Sequence, residues 1–323
     1  MELAKLIPKH LGKDRVLLTG ASGLIGTHIR RMLEPRVAEL ACPDRADVDL
    51  RYEHDVQKLF LWKPTVVIHC AAIALGVGYK KQHPGTIFDD NVRMNFFVQE
   101  AAMRAKVRKF VGVGSTSEYP ADVAMPCKEE DLWEGYPQET TATYGIAKRL
   151  MLVQSQAYRL EHDFDAIHLI PVTTYGPHDN YSANATRVIP MLLRRFLTAK
   201  ATGEPLVTCW GTGAPRRDLM YVGDTAEGIV RATCLYSDTA PANLGTGRET
   251  TIRDLTDKIA TLLDYTGEIL WDAGQPMGMA RTCVNTTTAD ECFDFRARVF
   301  VDEGLTRTVD WFLKHEDITR ASA

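Results

Sequence analysis

A tyrosine and a lysine four residues apart, Tyr144 and Lys148, are the pair in this sequence best suited to proton-transfer chemistry. Residues 139–161 have the periodicity of a helix, so both side chains should lie on one face, one turn apart. A nearby ammonium stabilises a phenolate and should lower the pKa of the tyrosine. Such a tyrosine can exchange a proton with a carbonyl or alcohol oxygen. Ser115, in a loop after a buried strand, could hydrogen-bond the same oxygen.

A glycine-rich segment earlier in the chain indicates where a second reactant binds. It reads Thr-Gly-Ala-Ser-Gly-Leu-Ile-Gly over residues 19–26, after a strand predicted over 15–19 and at the start of a helix predicted over 25–33. Glycines at such a turn let the backbone approach a pyrophosphate, and the helix start offers amide donors. We expect a dinucleotide to bind here, through Gly20, Ser22, Gly23, Leu24, Ile25 and Gly26, with Ala71 and Ala72 beyond the strand predicted over 65–70.

The residues after the second predicted strand bear on which dinucleotide binds. An acidic side chain there would bind the ribose 2′-hydroxyl of NAD, whereas an arginine would accommodate the 2′-phosphate of NADP. Both types occur, because Arg45 lies between Asp44 and Asp47. Arg45 favours NADP(H) as the cofactor, and NAD(H) remains the alternative if Asp44 or Asp47 makes the contact.

The order of the predicted elements defines the scaffold that must position these residues. Buried strands alternate with helices through the first half, which predicts βαβ units and an α/β fold with a doubly wound parallel sheet. We expect a Rossmann dinucleotide-binding domain over residues 1–172. Residues 173–323 contain shorter helices and more loops, and should form mainly a smaller mixed α/β substrate-binding domain, with later segments returning to the first.

The composition disfavours several other classes of protein. A formal net charge of −4 over 323 residues argues against a nucleic-acid partner, and no apolar run is long enough for a membrane partner or span. The N-terminal segment is too charged for a secretory signal. Seven widely spaced cysteines without a Cys-x-x-Cys pair argue against disulfides and against a metal site. A reducing, cytoplasmic location is therefore expected.

Three further segments, together with the Gly-x-x-Gly-x-x-Gly spacing, carry a resemblance to a known family. They are residues 175–180, 187–196 and 210–217. The chain resembles the GDP-L-fucose synthase family of the extended short-chain dehydrogenase/reductase superfamily, from about Val16 to about Phe312. This resemblance implies an NADPH-dependent reductase and 3,5-epimerase that acts on a nucleotide-linked, in particular a GDP-linked, 4-keto-6-deoxy sugar. It also implies a homodimer.

The resemblance assigns roles to individual residues. Ser115, Tyr144 and Lys148 match the catalytic triad of the family, and His178 matches a histidine that acts as acid or base in epimerisation. Further matches imply substrate contacts, at Asn180, Arg187, Trp210, Arg217 and Arg281. At Arg217 the physical reason is bidentate pairing of a guanidinium with diphosphate oxygens.

Two departures from the family pattern bear on epimerisation and on substrate contacts. Ser117, a further candidate catalytic residue, stands where the family has a cysteine that serves as an epimerisation base, and Glu118 replaces an isoleucine beside it. A serine hydroxyl is a far weaker acid than a thiol, so we expect slow or incomplete epimerisation and dominant 4-keto reduction. Thr282 stands where the family has a lysine. Three alternatives stay open: a full GDP-L-fucose synthase, an NAD-dependent sugar-nucleotide epimerase or dehydratase, and a non-catalytic cofactor-sensing protein.

Overall fold

The computed structural model describes residues 1–74, 82–182, 187–274 and 279–315. Within them a parallel sheet is formed by β1 (Arg15–Thr19), β2 (Glu39–Ala41), β3 (Val66–His69), β4 (Lys109–Val113), β5 (Ala166–Pro171) and β10 (Ala242–Leu244). The spatial order is β2–β1–β3–β4–β5–β10. The order reverses at β1, because β2 and β3 pair with its opposite edges. A crevice therefore opens beyond the carboxyl ends of β1 and β3.

Helices cover both faces of this sheet. They are α1 (Leu3–Leu11), α2 (Leu24–Leu33), α3 (Glu53–Phe60), α4 (Pro84–Arg104), α5 (Ala142–His162) and α7 (Val222–Leu235). Alternate residues of β1 enter different cores: Val16 and Leu18 pack with α1, α2 and α7, whereas Leu17 packs with α3, α4 and α5. Because both faces are covered, β3, β4 and β5 are buried at every residue.

The later part of the chain builds a second hydrophobic core. Its helices are α6 (Val188–Thr202), α8 (Ile252–Leu262) and α10 (Val301–Lys314), while α9 (Thr287–Phe293) packs against α7. Three small sheets belong to this part of the chain. Two are strand pairs, β6 (Thr173–Tyr175) with β9 (Leu219–Tyr221) and β7 (Leu206–Trp210) with β12 (Glu268–Asp272). The third has three strands, with β8 (Arg216–Arg217) between β11 (Thr250–Thr251) and β13 (Arg281–Thr282). Both β10 and α7 come from this later part, yet they belong to the first sheet and its helical layer.

The structure confirms the α/β fold with a doubly wound parallel sheet. No element before β1 was predicted from the sequence, but the structure has helix α1 there, with Pro8 inside it, although proline usually ends or kinks a helix. Leu6, Ile7 and Leu11 of α1 are buried, so tertiary packing outweighs the unfavourable proline. Among the described residues, no helix is both long and apolar enough to cross a lipid bilayer.

Candidate active site

The glycine loop forms a tight turn between β1 and α2. Gly20 has a φ of +70°, and a Cβ atom there would lie 2.7 Å from the Ala71 amide nitrogen. A Cβ on Gly26 would overlap the Gly20 carbonyl oxygen, so only glycine permits this approach of backbone to backbone. Gly23 is the N-cap of α2 and supplies no side-chain acceptor, which leaves the first helical amides for a bound anion. The loop therefore fits the pyrophosphate of a dinucleotide.

A cavity of about 550 Å³ joins this loop to the Ser115, Tyr144 and Lys148 side chains. Its ionisable lining residues, among those described, are Cys70, Tyr144, Lys148, Arg187 and Arg217. No histidine, aspartate or glutamate belongs to the described part of this lining. A second cavity, of about 570 Å³ beside Arg248 and Lys258, contains none of the residues that the sequence predicted for the site.

Ser115 follows β4 and caps a single 3₁₀ turn, Thr116–Glu118. Its Oγ accepts a hydrogen bond from the Ser117 amide at 3.2 Å, which leaves the hydroxyl proton available for donation. Helix α5 approaches this turn so closely that a Cβ on Gly145 would overlap the Ser117 carbonyl oxygen. This close packing positions Tyr144, the neighbour of Gly145, in the same cavity as Ser115.

Burial dominates the electrostatics of Tyr144 and Lys148. It raises the pKa of Tyr144, and the Glu118 carboxylate raises it further, while Arg187 opposes the shift. Burial lowers the pKa of Lys148 to about 8, against the opposite effect of Glu118. The pKa of Tyr144 is therefore raised, whereas the sequence predicted a fall, since desolvation of the phenolate outweighs the charges around it. A tyrosine in this state stays protonated at neutral pH and is suited to donate a proton.

Most of the residues expected to bind the cofactor lie together. Those that line the cavity are Gly20, Gly23, Leu24, Ile25, Gly26 and Ala72. Ser22 is exposed on the loop, and Ala71 lies behind Gly20, away from the lining. Arg45 is exposed in the loop after β2 and is not part of the lining, although its charge helps to lower the pKa of Asp49.

The residues expected to bind substrate divide into two groups. Arg187, Trp210 and Arg217 line the cavity, and Arg187 is fixed by Asp179 Oδ1 at 2.8 Å and by the Thr174 carbonyl oxygen at 2.5 Å. The structure does not bring Asn180 or Arg281 into the lining. Asn180 is exposed, and its Oδ1 accepts a hydrogen bond from the Ser182 amide. Arg281 forms an ion pair with Glu249 at 2.6 Å.

The structure places His178 outside the cavity, contrary to the role expected for it. Its ring centroid lies 4.8 Å from that of Trp311 and 5.8 Å from that of His28. Its φ of +69° turns the side chain into this aromatic cluster. Burial lowers the pKa of His178 to about 4, and the charge of Arg31 adds to that effect. The imidazole is therefore held neutral beside Trp311 and does not belong to the described lining of the cavity.

Several lining residues escaped the sequence analysis. Thr116, Gln138, Thr141, Met191 and Met279 are among them. Gln138 and Thr141 could have been found, because they immediately precede the catalytic helix. Thr282 also lines the cavity, opposite Arg217 in the β8–β13 register. Its Oγ1 is buried and has no hydrogen-bond partner in the described part of the chain, which suits it to contact a ligand.

Comparisons with known proteins agree with this geometry. Residues 16–243 match the NAD dependent epimerase/dehydratase family. GDP-L-fucose synthase 1 of Arabidopsis thaliana is 32% identical over 93% of this chain and 94% of its own length. The GDP-L-fucose synthase of Escherichia coli is 30% identical over 95% of this chain and 99% of its own.

A solved structure gives the same result in three dimensions. The crystal structure of a GDP-L-fucose synthetase from Naegleria fowleri bound to NADP superposes with a TM-score of 0.87, at 26% identity, over 96% of this chain and 98% of that one. The glycine loop, the Ser115–Tyr144–Lys148 cavity and these matches over nearly the full length lead to one conclusion. The chain belongs to the NAD dependent epimerase/dehydratase family and, within it, to the GDP-L-fucose synthase family.

Proposed function

We propose that the protein is an NADPH-dependent 4-ketoreductase of a GDP-linked 4-keto-6-deoxy sugar, and that it reduces this sugar without epimerising C3 and C5. One observation carries the proposal: the cavity contains a Ser115–Tyr144–Lys148 reducing site, while its described lining offers no carboxylate or imidazole base. The names of the relatives support the GDP-sugar class.

The cofactor is NADP(H). The glycine loop, with the start of α2 and Ala72, would hold its pyrophosphate, and Lys148 would hold the ribose of its nicotinamide half. When bound, NADPH supplies the two electrons, as a hydride, that reduce the carbonyl carbon. The NADP-bound structure of the Naegleria fowleri relative supports this choice. Arg45 remains our candidate for the 2′-phosphate contact.

The chain's own residues supply the proton and the charge stabilisation. As the carbonyl oxygen gains negative charge, the Ser115 hydroxyl donates a hydrogen bond to it, and Tyr144 transfers its phenolic proton. The product is an alcohol, and the tyrosinate is left beside Arg187 and Lys148. The Arg187 cation stabilises that phenolate until solvent returns the proton.

The cationic part of the lining suits a nucleotide diphosphate. Arg217 is half-buried, and desolvation lowers its pKa, so a cation there is stabilised when an anion arrives. Its guanidinium can pair with two phosphate oxygens at once. Trp210, 52% exposed at the end of β7, offers a ring face on which a base can stack. We place the diphosphate at Arg217, with the Thr282 hydroxyl as a further donor.

Epimerisation would require a base beside C3 or C5 of the sugar. Burial raises the pKa of Cys70 to about 12, and a guanidinium such as that of Arg187 cannot accept a proton. Ser117 is an unactivated hydroxyl, and His178 packs on Trp311. The described lining therefore supports proton donation to C4–O and offers no carboxylate or imidazole to remove a proton from carbon.

The alternative dehydratase function requires an acidic side chain in the cavity. Glu118 is the nearest candidate by sequence, but its carboxylate accepts the Ser115 amide and contacts His168, and it does not belong to the lining.

In our proposal residues 1–172 hold the cofactor, with β10 and α7 completing their sheet and helical layer. Residues 173–323 supply most of the substrate contacts.

The test is reduction of GDP-4-keto-6-deoxymannose by NADPH in heavy water, followed by NMR of the product. We expect one NADPH consumed per sugar and no deuterium at C3 or C5. Tyr144→Phe is the control for background turnover. The Escherichia coli relative, assayed in parallel, shows that exchange at these carbons is detectable. Deuterium at both carbons would overturn the proposed restriction to reduction, and no NADPH consumption would overturn the reductase itself.

A further inference from the structure

A buried acid–imidazole pair lies directly behind the catalytic loop, and the mechanism above does not use it. Glu118, in the 3₁₀ turn after β4, and His168, on β5, both have fully buried side chains. The two carboxylate oxygens lie 3.0 and 3.2 Å from His168 Nε2. A Cβ atom on Gly114 would collide with both side chains, so glycine is required between them and the catalytic residue that follows.

The same carboxylate anchors the backbone of Ser115. Glu118 Oε1 accepts the Ser115 amide proton at 2.6 Å. Because the Ser117 amide in turn donates to Ser115 Oγ, both the backbone and the hydroxyl of Ser115 are fixed by groups of one turn. A second contact fixes the turn itself, since Arg149 Nε of α5 donates to the Glu118 carbonyl oxygen. The turn and the catalytic helix are thereby held together.

We propose that Glu118, held by His168, is a positioning residue for this reaction: its carboxylate orients Ser115 through the amide and lies close enough to Tyr144 and Lys148 to act on them by its charge. The kinetic test of this role rests on the proposed function, because it measures sugar reduction. A second test, by NADPH binding, needs no sugar. Glu118 acts through Ser115, Tyr144 and Lys148 and does not itself reach the cavity lining.

The charges around the catalytic groups give the direction of the effect. Lys148 is affected by Glu118 and by Cys70, and it disfavours the charged form of His69, on β3. Tyr144 is affected by Glu118 and by Arg187. Among the described residues, Glu118 also interacts with His168, on β5, with Arg149, on α5, and with the adjacent Tyr119. The Glu118 charge raises the pKa of both Lys148 and Tyr144, so its removal should lower both.

The direction of the pH effect on activity follows from the protonation states that turnover requires. Turnover requires a protonated Tyr144 and an ammonium at Lys148, so activity falls as pH rises through the pKa of Lys148, about 8. Glu118→Gln keeps the size of the side chain and an oxygen for the Ser115 amide, but removes the charge. We expect its alkaline limb of kcat/KM to move to lower pH by at least about 0.5 unit, with kcat at neutral pH within about threefold of wild type.

A double variant separates the charge from the anchor. Glu118→Leu/His168→Leu replaces the pair with apolar side chains, which is often tolerated where removal of one partner is not. It should show the same shift of the limb and, because the Ser115 amide loses its acceptor, a further loss of about tenfold in kcat. Asp165→Asn is the matched control: it removes a carboxylate paired with Lys109 at 3.0 Å, beyond the opposite end of the sheet, and should leave the limb in place.

Binding of NADPH, followed by its fluorescence, provides the test that needs no sugar. Because Lys148 lines the cofactor cavity, affinity should weaken as pH rises through its pKa, and in Glu118→Gln this should begin at lower pH. If sugar reduction fails but the binding profile shifts, the proposed function is wrong and the role of Glu118 stands. If the wild type reduces the sugar, and Glu118→Gln has the same pH dependence of kcat/KM and of NADPH affinity as the wild type, the proposed role of Glu118 is wrong. Failure of both variants to fold would also overturn the proposal, since the pair would then serve the fold alone.

Discussion

The two ends of the active-site cavity are built in different ways. In our proposal the pyrophosphate cradle at the cofactor end is one continuous segment, residues 19–26, and it depends on backbone amides and on the absence of side chains. The sugar end is assembled from side chains on separate segments, with Ser117 after β4, Arg187 before α6 and Arg217 on β8. A binding loop made of backbone amides loses its geometry when a Cβ atom is added to one of its glycines. A side-chain assembly can instead change its chemistry one residue at a time while the fold is kept.

The largest expected effect comes from Gly26→Ala at the cofactor end. Its Cβ would overlap the Gly20 carbonyl oxygen, so the turn must move and the amide donors with it. We expect NADPH affinity to fall at least about 100-fold, measured by fluorescence titration. Gly85→Ala, where a Cβ would meet nothing within 4 Å, is the control and should bind normally. Unchanged affinity in Gly26→Ala would mean that the cradle tolerates side chains after all.

Tyr144→Phe tests the junction between the two ends. It removes the proton donor and leaves the ring, so turnover should fall by at least about 100-fold while NADPH affinity changes little. Steady-state kinetics and fluorescence titration measure the two quantities. A variant with nearly wild-type turnover would exclude Tyr144 as the donor.

Arg45→Ala tests whether the cofactor end depends on any side chain. We expect the wild type to prefer NADPH over NADH, and the variant to lose most of that preference through a weaker hold on the 2′-phosphate. The comparison is kcat/KM for each cofactor. Equal use of NADH by the wild type would instead favour Asp44 or Asp47 as the ribose contact.

Ser117→Cys has the smallest expected effect, and it tests the sugar end. A thiol has a pKa near 8.5 and can remove a proton where a hydroxyl cannot. We expect slow deuterium uptake at one ring carbon, with the reduction rate within about threefold of wild type. NMR of the product in heavy water detects it. If uptake stays at the background level, the loop geometry, and not the missing thiol, determines the chemistry.

The fold was predictable because its signals are local and repeated. The strand over 15–19 has the predicted bounds, and the predicted helix over 139–161 is α5, Ala142–His162. Each buried strand is a short apolar run between turn residues, which marks its position without tertiary information. The glycine loop was predictable for the same reason, since its geometry follows from the turn between β1 and α2.

The sugar end was less predictable, because there the contacts depend on side-chain direction. A match by motif placed His178 and Arg187 alike in the site, but a positive φ and the Trp311 ring draw His178 away, while Asp179 holds Arg187 in the cavity. The pKa of Tyr144 was expected to fall from the spacing of Lys148, and it rises because burial outweighs charge. Spacing along a helix gives no measure of burial.

The position of β10 has a consequence for the order in which the protein is made. β5 ends at Pro171, but the strand that covers its outer edge begins only at Ala242. As the chain leaves the ribosome, the edge of β5 is therefore exposed while the whole intervening segment is synthesised. An uncovered strand edge can pair with another chain, so the nascent protein should be most prone to aggregate during this interval.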